Sequence, residues 1–291
     1  MASLTAVLLV SSAAFADDGK DWHHLSSLSP YATYQFDSAY GESQVHISRV
    51  GVDFDNSFSL TPDLRMNADT RIEDSVYDFN DFRHESAGTK TPVDHVVLLR
   101  FVPGLTYTIN PDWTVRGGLI FQDSGQTGAS WGDSFTWGTY AMVIHPISKT
   151  LTVGGGLVVY SQLEDSIGIL PLFYFDWNFS NQWHFTGHET ELRISYYTRP
   201  DLSYYFAGSY NTREYRLEED NHFDPGGVLN DDMIPVRLGV QWQPSPQFKI
   251  SGEVGAVAWQ KLTFEDDRGD KVLEDNVDPT FFIAMQFTYS F

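Results

Sequence analysis

The stretch Asp278-Pro-Thr-Phe-Phe-Ile-Ala-Met-Gln-Phe-Thr-Tyr-Ser-Phe291 decides how the rest of the chain is read. At the period of two that a β-strand imposes, Phe281, Ile283, Met285, Phe287, Tyr289 and Phe291 share one face. Phe282, Ala284, Gln286, Thr288 and Ser290 share the other. A strand of about ten residues, apolar on one side and small or polar on the other, fits the wall of a transmembrane β-barrel with lipid outside and a lumen inside. One strand is a weak sign, so the remainder must repeat it.

It does. In 236–243, Val236, Leu238, Val240 and Trp242 oppose Arg237, Gly239, Gln241 and Gln243. In 95–109, Val97, Leu99, Phe101, Leu105, Tyr107 and Ile109 face away from Arg100, Gly104 and Thr106. In 248–259, Phe248, Ile250, Val254, Ala256 and Ala258 are expected outside, with Lys249, Ser251, Glu253, Gly255 and Trp259 inside. Short turns fall at Thr61-Pro-Asp63, Asn110-Pro-Asp112, Ile147-Ser-Lys149, Ser180-Asn-Gln182, Arg199-Pro-Asp201 and Ser245-Pro-Gln247. Between them lie connections that are often longer and more charged, among them 80–92, 218–230 and 265–276. This alternation is the periplasmic-turn, extracellular-loop asymmetry of outer-membrane barrels.

The marks divide the chain into strands near 29–40, 43–60, 63–79, 93–109, 112–122, 133–146, 150–162, 166–179, 182–187, 191–198, 201–216, 231–244, 247–264 and 277–291. The fold class expected is all-β: an antiparallel up-and-down transmembrane barrel of about 14 strands, its first strand paired with its last. If Trp183 to Tyr197 were one bent unit, the count would fall to about 12.

The front of the chain supplies the compartment. Leu4 to Ala14 is apolar or small and leads into Ala14-Phe15-Ala16, so 1–16 is expected to be a signal peptide, 17–28 a polar periplasmic segment and 29–291 the barrel. Met1-Ala-Ser lacks the usual basic residue, which points to a start codon upstream. Net charge is -21, there is no cysteine, and mean hydropathy is -0.27, a value compatible with a barrel that needs apolar residues on alternate wall positions only. The 8 Trp, 15 Tyr and 21 Phe suit aromatic girdles at the two interfaces. Such acidity argues against nucleic acid as a partner.

Taking each strand's polar side inward collects Arg49, Asp53, Asp55, Arg65, Asp69, Arg71, Glu73, Arg100, Arg116, Arg237, Lys249 and Glu253, while the acidic excess sits in loops. Across the turn at Thr61-Pro-Asp63, facing residues sum to about 124, pairing Asp53 with Arg71 and Ser59 with Arg65. The expected lumen lining is Asp53, Asp69, Arg71, Arg100, Arg116, Arg237 and Glu253, near mid-height. A charged constriction and a salt-bridge network filling the lumen both select these residue types.

Asp94-His95 and His188-Glu189 set an imidazole beside a carboxylate and His23-His24 sets two imidazoles together, but none has a third partner at informative spacing. Ser180 and Ser195 lack a nucleophile-elbow setting. No catalytic, cofactor or metal site is assigned. The acidic run Glu265-Asp-Asp267 with Asp270, Glu274 and Asp275 is expected to be solvated loop facing lipopolysaccharide through shared divalent ions.

Two resemblances complete the reading. A terminal strand of alternating aromatics ending on Phe291 resembles the closing strand of bacterial outer-membrane barrels, which implies that Phe291 is an assembly signal read by the barrel assembly machinery. Ile169-Leu-Pro171, Phe175-Asp-Trp177, Trp183 and Glu214-Tyr-Arg-Leu217 resemble a family of bacterial outer-membrane β-barrel proteins with no assigned function, which implies location and fold and carries no catalytic residues. The expectation is an outer-membrane barrel in contact with lipid and lipopolysaccharide, a passive, porin-like channel for small solutes. The alternatives are a non-conducting structural or surface-binding barrel and, third, a barrel hydrolase.

Overall fold

The structure, a computed structural model, describes residues 24–82, 91–164 and 167–291. The signal peptide and most of the 17–28 segment lie outside these residues. The described part is all strand and turn: β1 (His24–Tyr40), β2 (Ser43–Thr61), β3 (Leu64–Asn80), β4 (His95–Asn110), β5 (Trp113–Gln126), β6 (Phe135–Pro146), β7 (Leu151–Tyr160) and β8 (Gly168–Asn178) come first. They are followed by β9 (Trp183–His188), β10 (Glu191–Arg199), β11 (Leu202–Ser209), β12 (Asn211–Arg216), β13 (Val228–Ser245), β14 (Phe248–Glu265), β15 (Lys271–Val277) and β16 (Thr280–Ser290).

Each strand pairs antiparallel with the next except at β11–β12 and β15–β16, and β1 closes the ring on β16, with Leu28 opposite Tyr289 and Gln35 opposite Phe282. β11 and β12 both pair with β13 and form one interrupted wall strand; β15 and β16 do the same along β14. The result is a closed antiparallel barrel of 14 strands. Closure leaves no open sheet edge to lipid, the condition a spanning sheet must meet. The second interruption falls at Asp278-Pro279, where proline has no N–H for the ladder and Asp278 donates its own to the Ala39 carbonyl.

The alternation in β16 is as expected: Phe281, Ile283, Met285, Phe287 and Tyr289 are exposed on the outer face, and Phe282 and Thr288 are buried inside. Several boundaries differ. β1 starts at His24, earlier than the expected 29, because Ser26 and Phe291 exchange backbone hydrogen bonds that extend the seam. Most of the charged stretch 265–276 is strand, since Lys271–Val277 continues the ladder of β14 beyond a tight turn at 266–270. β13 begins at Val228, which shortens the preceding loop to 217–227. Trp259 faces outward and not inward: a bulge sets Ile234 opposite Trp259 but Pro235 opposite Val257, and the extra residue flips the following side chains. Trp183 to Tyr197 is a hairpin of two strands turning at Glu189, whose φ is 56°.

The wall is curved by pairing tyrosine with glycine across strands. Tyr31 lies over its partner Gly51, where a Cβ would sit 2.5 Å from the phenol oxygen, and Tyr140 covers its partner Gly118 and, one strand further on, Gly104. Two apolar clusters occupy the interior, the first toward the end away from the short turns, the second reaching down to Ile144 beside the 147–150 turn. One joins Ile47, Tyr77, Phe79, Leu98, Tyr215, Leu217, Phe264 and their neighbours; the other, around Val102, Tyr140, Val158, Tyr160 and Leu172, lines the sector from β4 to β8.

Candidate functional site

The half of the barrel nearer the short turns is only partly filled. It encloses a cavity of about 660 Å³ lined by all seven of the residues expected there, Asp53, Asp69, Arg71, Arg100, Arg116, Arg237 and Glu253. Alternation puts them inside, and the register of each hairpin decides which of them meet. Arg71, directly opposite Asp53, donates two hydrogen bonds to its carboxylate, at 2.6 and 2.8 Å. Arg116 lies 4.0 Å from Asp69. Arg237 is bonded to Glu191 and stands 3.3 Å from Glu253, which also accepts from the Tyr205 hydroxyl at 2.5 Å.

Asp55, Glu189, Glu191, Arg193 and Lys249 also line the cavity, so its acidic and basic side chains balance in a chain of net charge -21. The acidic excess therefore lies outside the lumen. Arg193 stacks on the Tyr205 ring, 3.5 Å from its centre, and donates to Gln241. Arg100 is 3% exposed, and its Nε and one terminal nitrogen meet no acceptor. Arg65 is absent from the lining; it sits opposite Ser59 at the rim of the β2–β3 turn. Of the paired candidates, His188 borders the cavity with its ring edge-on to Tyr174, whereas His95 is exposed beside Asp74.

Arg49 and Glu73, also expected to be lumenal, belong to a buried polar layer that roofs the cavity. Glu73 accepts from Arg213 at 3.0 Å and from Tyr31 at 2.7 Å. Asp231, fully buried, accepts from Arg49 and Tyr77 at 2.6 Å and from Gln260 at 2.7 Å. The first apolar cluster lies beyond this layer.

β12 was legible as strand but not as a crossing element. Every residue from Thr212 to Arg216 is buried, because the segment, paired along its whole length with the equally buried Val228–Met233 end of β13, turns inward and meets β5, pairing Arg216 with Gly125 in parallel. Arg213 and Tyr215 point toward β3, the latter packed edge-on against Tyr77. Glu214 and Arg216 point the other way, Glu214 accepting from Gln162 and from the Leu163 N–H, Arg216 bonded to Glu164 and donating to the Asp133 carbonyl at 3.0 Å. Asn211, at one end of β12, lines the cavity described above; Arg216, at the other, lines a second cavity of about 350 Å³ among the loops.

The family model for a domain of unknown function, DUF6268, matches residues 109–291, which include β12 and the closing strand. The chain belongs to the DUF6268 family. No curated protein matches the sequence. Among solved structures, the COG4313 outer membrane channel from Pseudomonas putida F1 is 8% identical, with 97% of this chain and 100% of that one covered at a TM-score of 0.51. The P. putida toluene transporter TodX is 9% identical, with 94% and 90% covered at a TM-score of 0.52. At these identities the likeness is one of fold, and the fold is that of an outer-membrane β-barrel.

Proposed function

We propose that this barrel is an outer-membrane channel for small solutes, shut in this conformation by β12. The observation that carries the reading is the placement of β12 between two cavities, one end on each. A barrel that served only as a wall would gain by filling its lumen throughout, since each unfilled space forfeits packing. Here one half is packed with apolar side chains and the other is lined by charge pairs around open volume. The short turns and both strand termini are placed on the periplasmic side, with loops 127–134, 217–227 and 266–270 outside among lipopolysaccharide. Folding by the barrel assembly machinery and insertion through the Phe291 end belong to the same proposal.

A sealed, structural barrel is favoured by a different observation, the continuity of the apolar cluster from β1 to β15 across the outer half. Solute flux separates the two. Liposomes containing the refolded chain should swell in a small neutral sugar faster than empty liposomes, and faster again when Arg213→Ala releases β12. Swelling equal to that of empty liposomes for both proteins would leave the sealed barrel. His188, the imidazole at the cavity, packs its ring edge-on against Tyr174.

A further inference from the structure

Four of the cavity's carboxylates are taken by three of its cations: Asp53 by Arg71, Asp69 by Arg116, and Glu191 and Glu253 by Arg237. Arg100, Arg193 and Lys249 form no ion pair among the described residues. Arg193 has only an amide and an aromatic face. The charges acting on Lys249 are Arg193, a like charge, and Asp55, which accepts from Ser27 at 3.0 Å. Arg100 is buried at 3% exposure with two nitrogens unsatisfied; the charges acting on it are Arg71, itself held by a bidentate carboxylate, and Glu189, Asp69 and Asp53, none of which makes an ion pair with it.

A buried guanidinium without acceptors costs stability that an apolar side chain of similar size would not. Its planar fork matches a carboxylate or phosphate oxygen pair. Lys249 lies one residue into β14 from the short-turn end, Arg193 stands beside it, and Arg100 is deeper along β4. The three mark a line from the mouth inward. A volume of about 660 Å³ lies in the range of metabolite-sized sites.

We propose that the cavity binds an anionic solute bearing a carboxylate or phosphate group, seated on Arg100 and reached from the short-turn mouth past Lys249 and Arg193. This deepens the channel reading, and its test needs no conduction. The folded full-length chain in detergent is titrated calorimetrically with citrate and with inorganic phosphate, and with glucose and spermidine as neutral and cationic controls. The anions should bind and the controls should not. Arg100→Met should weaken citrate binding about tenfold, the loss of a charge-assisted pair, and Lys249→Gln about two- to fivefold. Arg268→Gln, in an exposed outer loop, should change nothing.

Arg100→Met should also melt no lower than the parent, which a structural strut would not allow. If that variant does not fold, Arg100→Lys, which keeps the charge and loses the fork, carries the test through weaker citrate binding. Controls that bind as well as citrate, or unchanged affinity in a folded Arg100 variant, would overturn the proposal. Citrate binding without flux would refute the channel and leave the anion site standing; flux without citrate binding would do the reverse.

Discussion

Asp53 and Arg71 face each other across the β2–β3 hairpin with their charged ends about one-sixth exposed, whereas Arg199 and Asp201 pair in open solvent at 59% and 40% exposure. Truncating one partner of a shielded pair leaves an uncompensated charge, while exposed pairs are screened. Arg71→Ala should therefore cost about 1–3 kcal/mol in urea unfolding and Arg199→Ala under about 1 kcal/mol; equal costs would remove the distinction. In the loop 217–227, burial, then Asp266 and Asp267, push the Asp224 carboxyl up to about 6. Below pH about 4 it is protonated in either state, but between about 4 and 6 the unfolded loop releases a proton that the folded loop keeps. Local stability should fall as pH rises through that window and level off above it. Amide exchange in 217–227, corrected for intrinsic rates, reads this directly, and Asp224→Asn should reduce the slope, leaving the part due to Glu218, whose carboxyl is also pushed up by burial.

At the scale of elements, β12 depends on contacts the sequence could not announce. Glu73 and Arg213 lie 140 positions apart and are both buried, so removing either leaves a stranded charge, at a cost of about 3–5 kcal/mol. Removing both should cost much less than the sum, and a double-mutant cycle showing additivity would mean that the pair does not hold the crossing. β16 behaves differently because its information is local. Phe291 is outward and exposed, bonded only through its backbone to Ser26, whereas Ser290 faces the lumen. Phe291→Asp should lower the yield of folded barrel in outer-membrane fractions more than Ser290→Asp; equal yields would count against the closing-strand role. These two elements mark what can be read from the chain. Alternation exposes every wall strand, the short turns fix the register that joins Asp53 to Arg71, and the strand count follows. The Asn211–Arg216 segment hides because both of its faces are buried, one against β3 and one against 162–164, so no period of two distinguishes core from surface.

For the whole molecule, the distribution of charge and volume says more than its total. A net charge of -21 suggests a cation pathway, yet the cavity lining is balanced, and three of its basic members, Arg100, Arg193 and Lys249, form no ion pair among the described residues. The balance was readable strand by strand from inward positions; the closure was not, because it arises where β12 and the paired end of β13 turn inward and β12 meets β5. That meeting is also where the account can be tested most directly. The chain contains no cysteine, and a Cβ built on Gly125 would lie 3.3 Å from that of Arg216, close to disulfide reach. Gly125→Cys with Arg216→Cys therefore gives a lock across the lumen that oxidation closes and reductant opens. In planar bilayers the oxidised double variant should be silent and the reduced one should conduct, reversibly in the same membrane. Equal conductance in the two states would contradict the account: silence in both means a sealed barrel, and current in both means a path that does not pass β12.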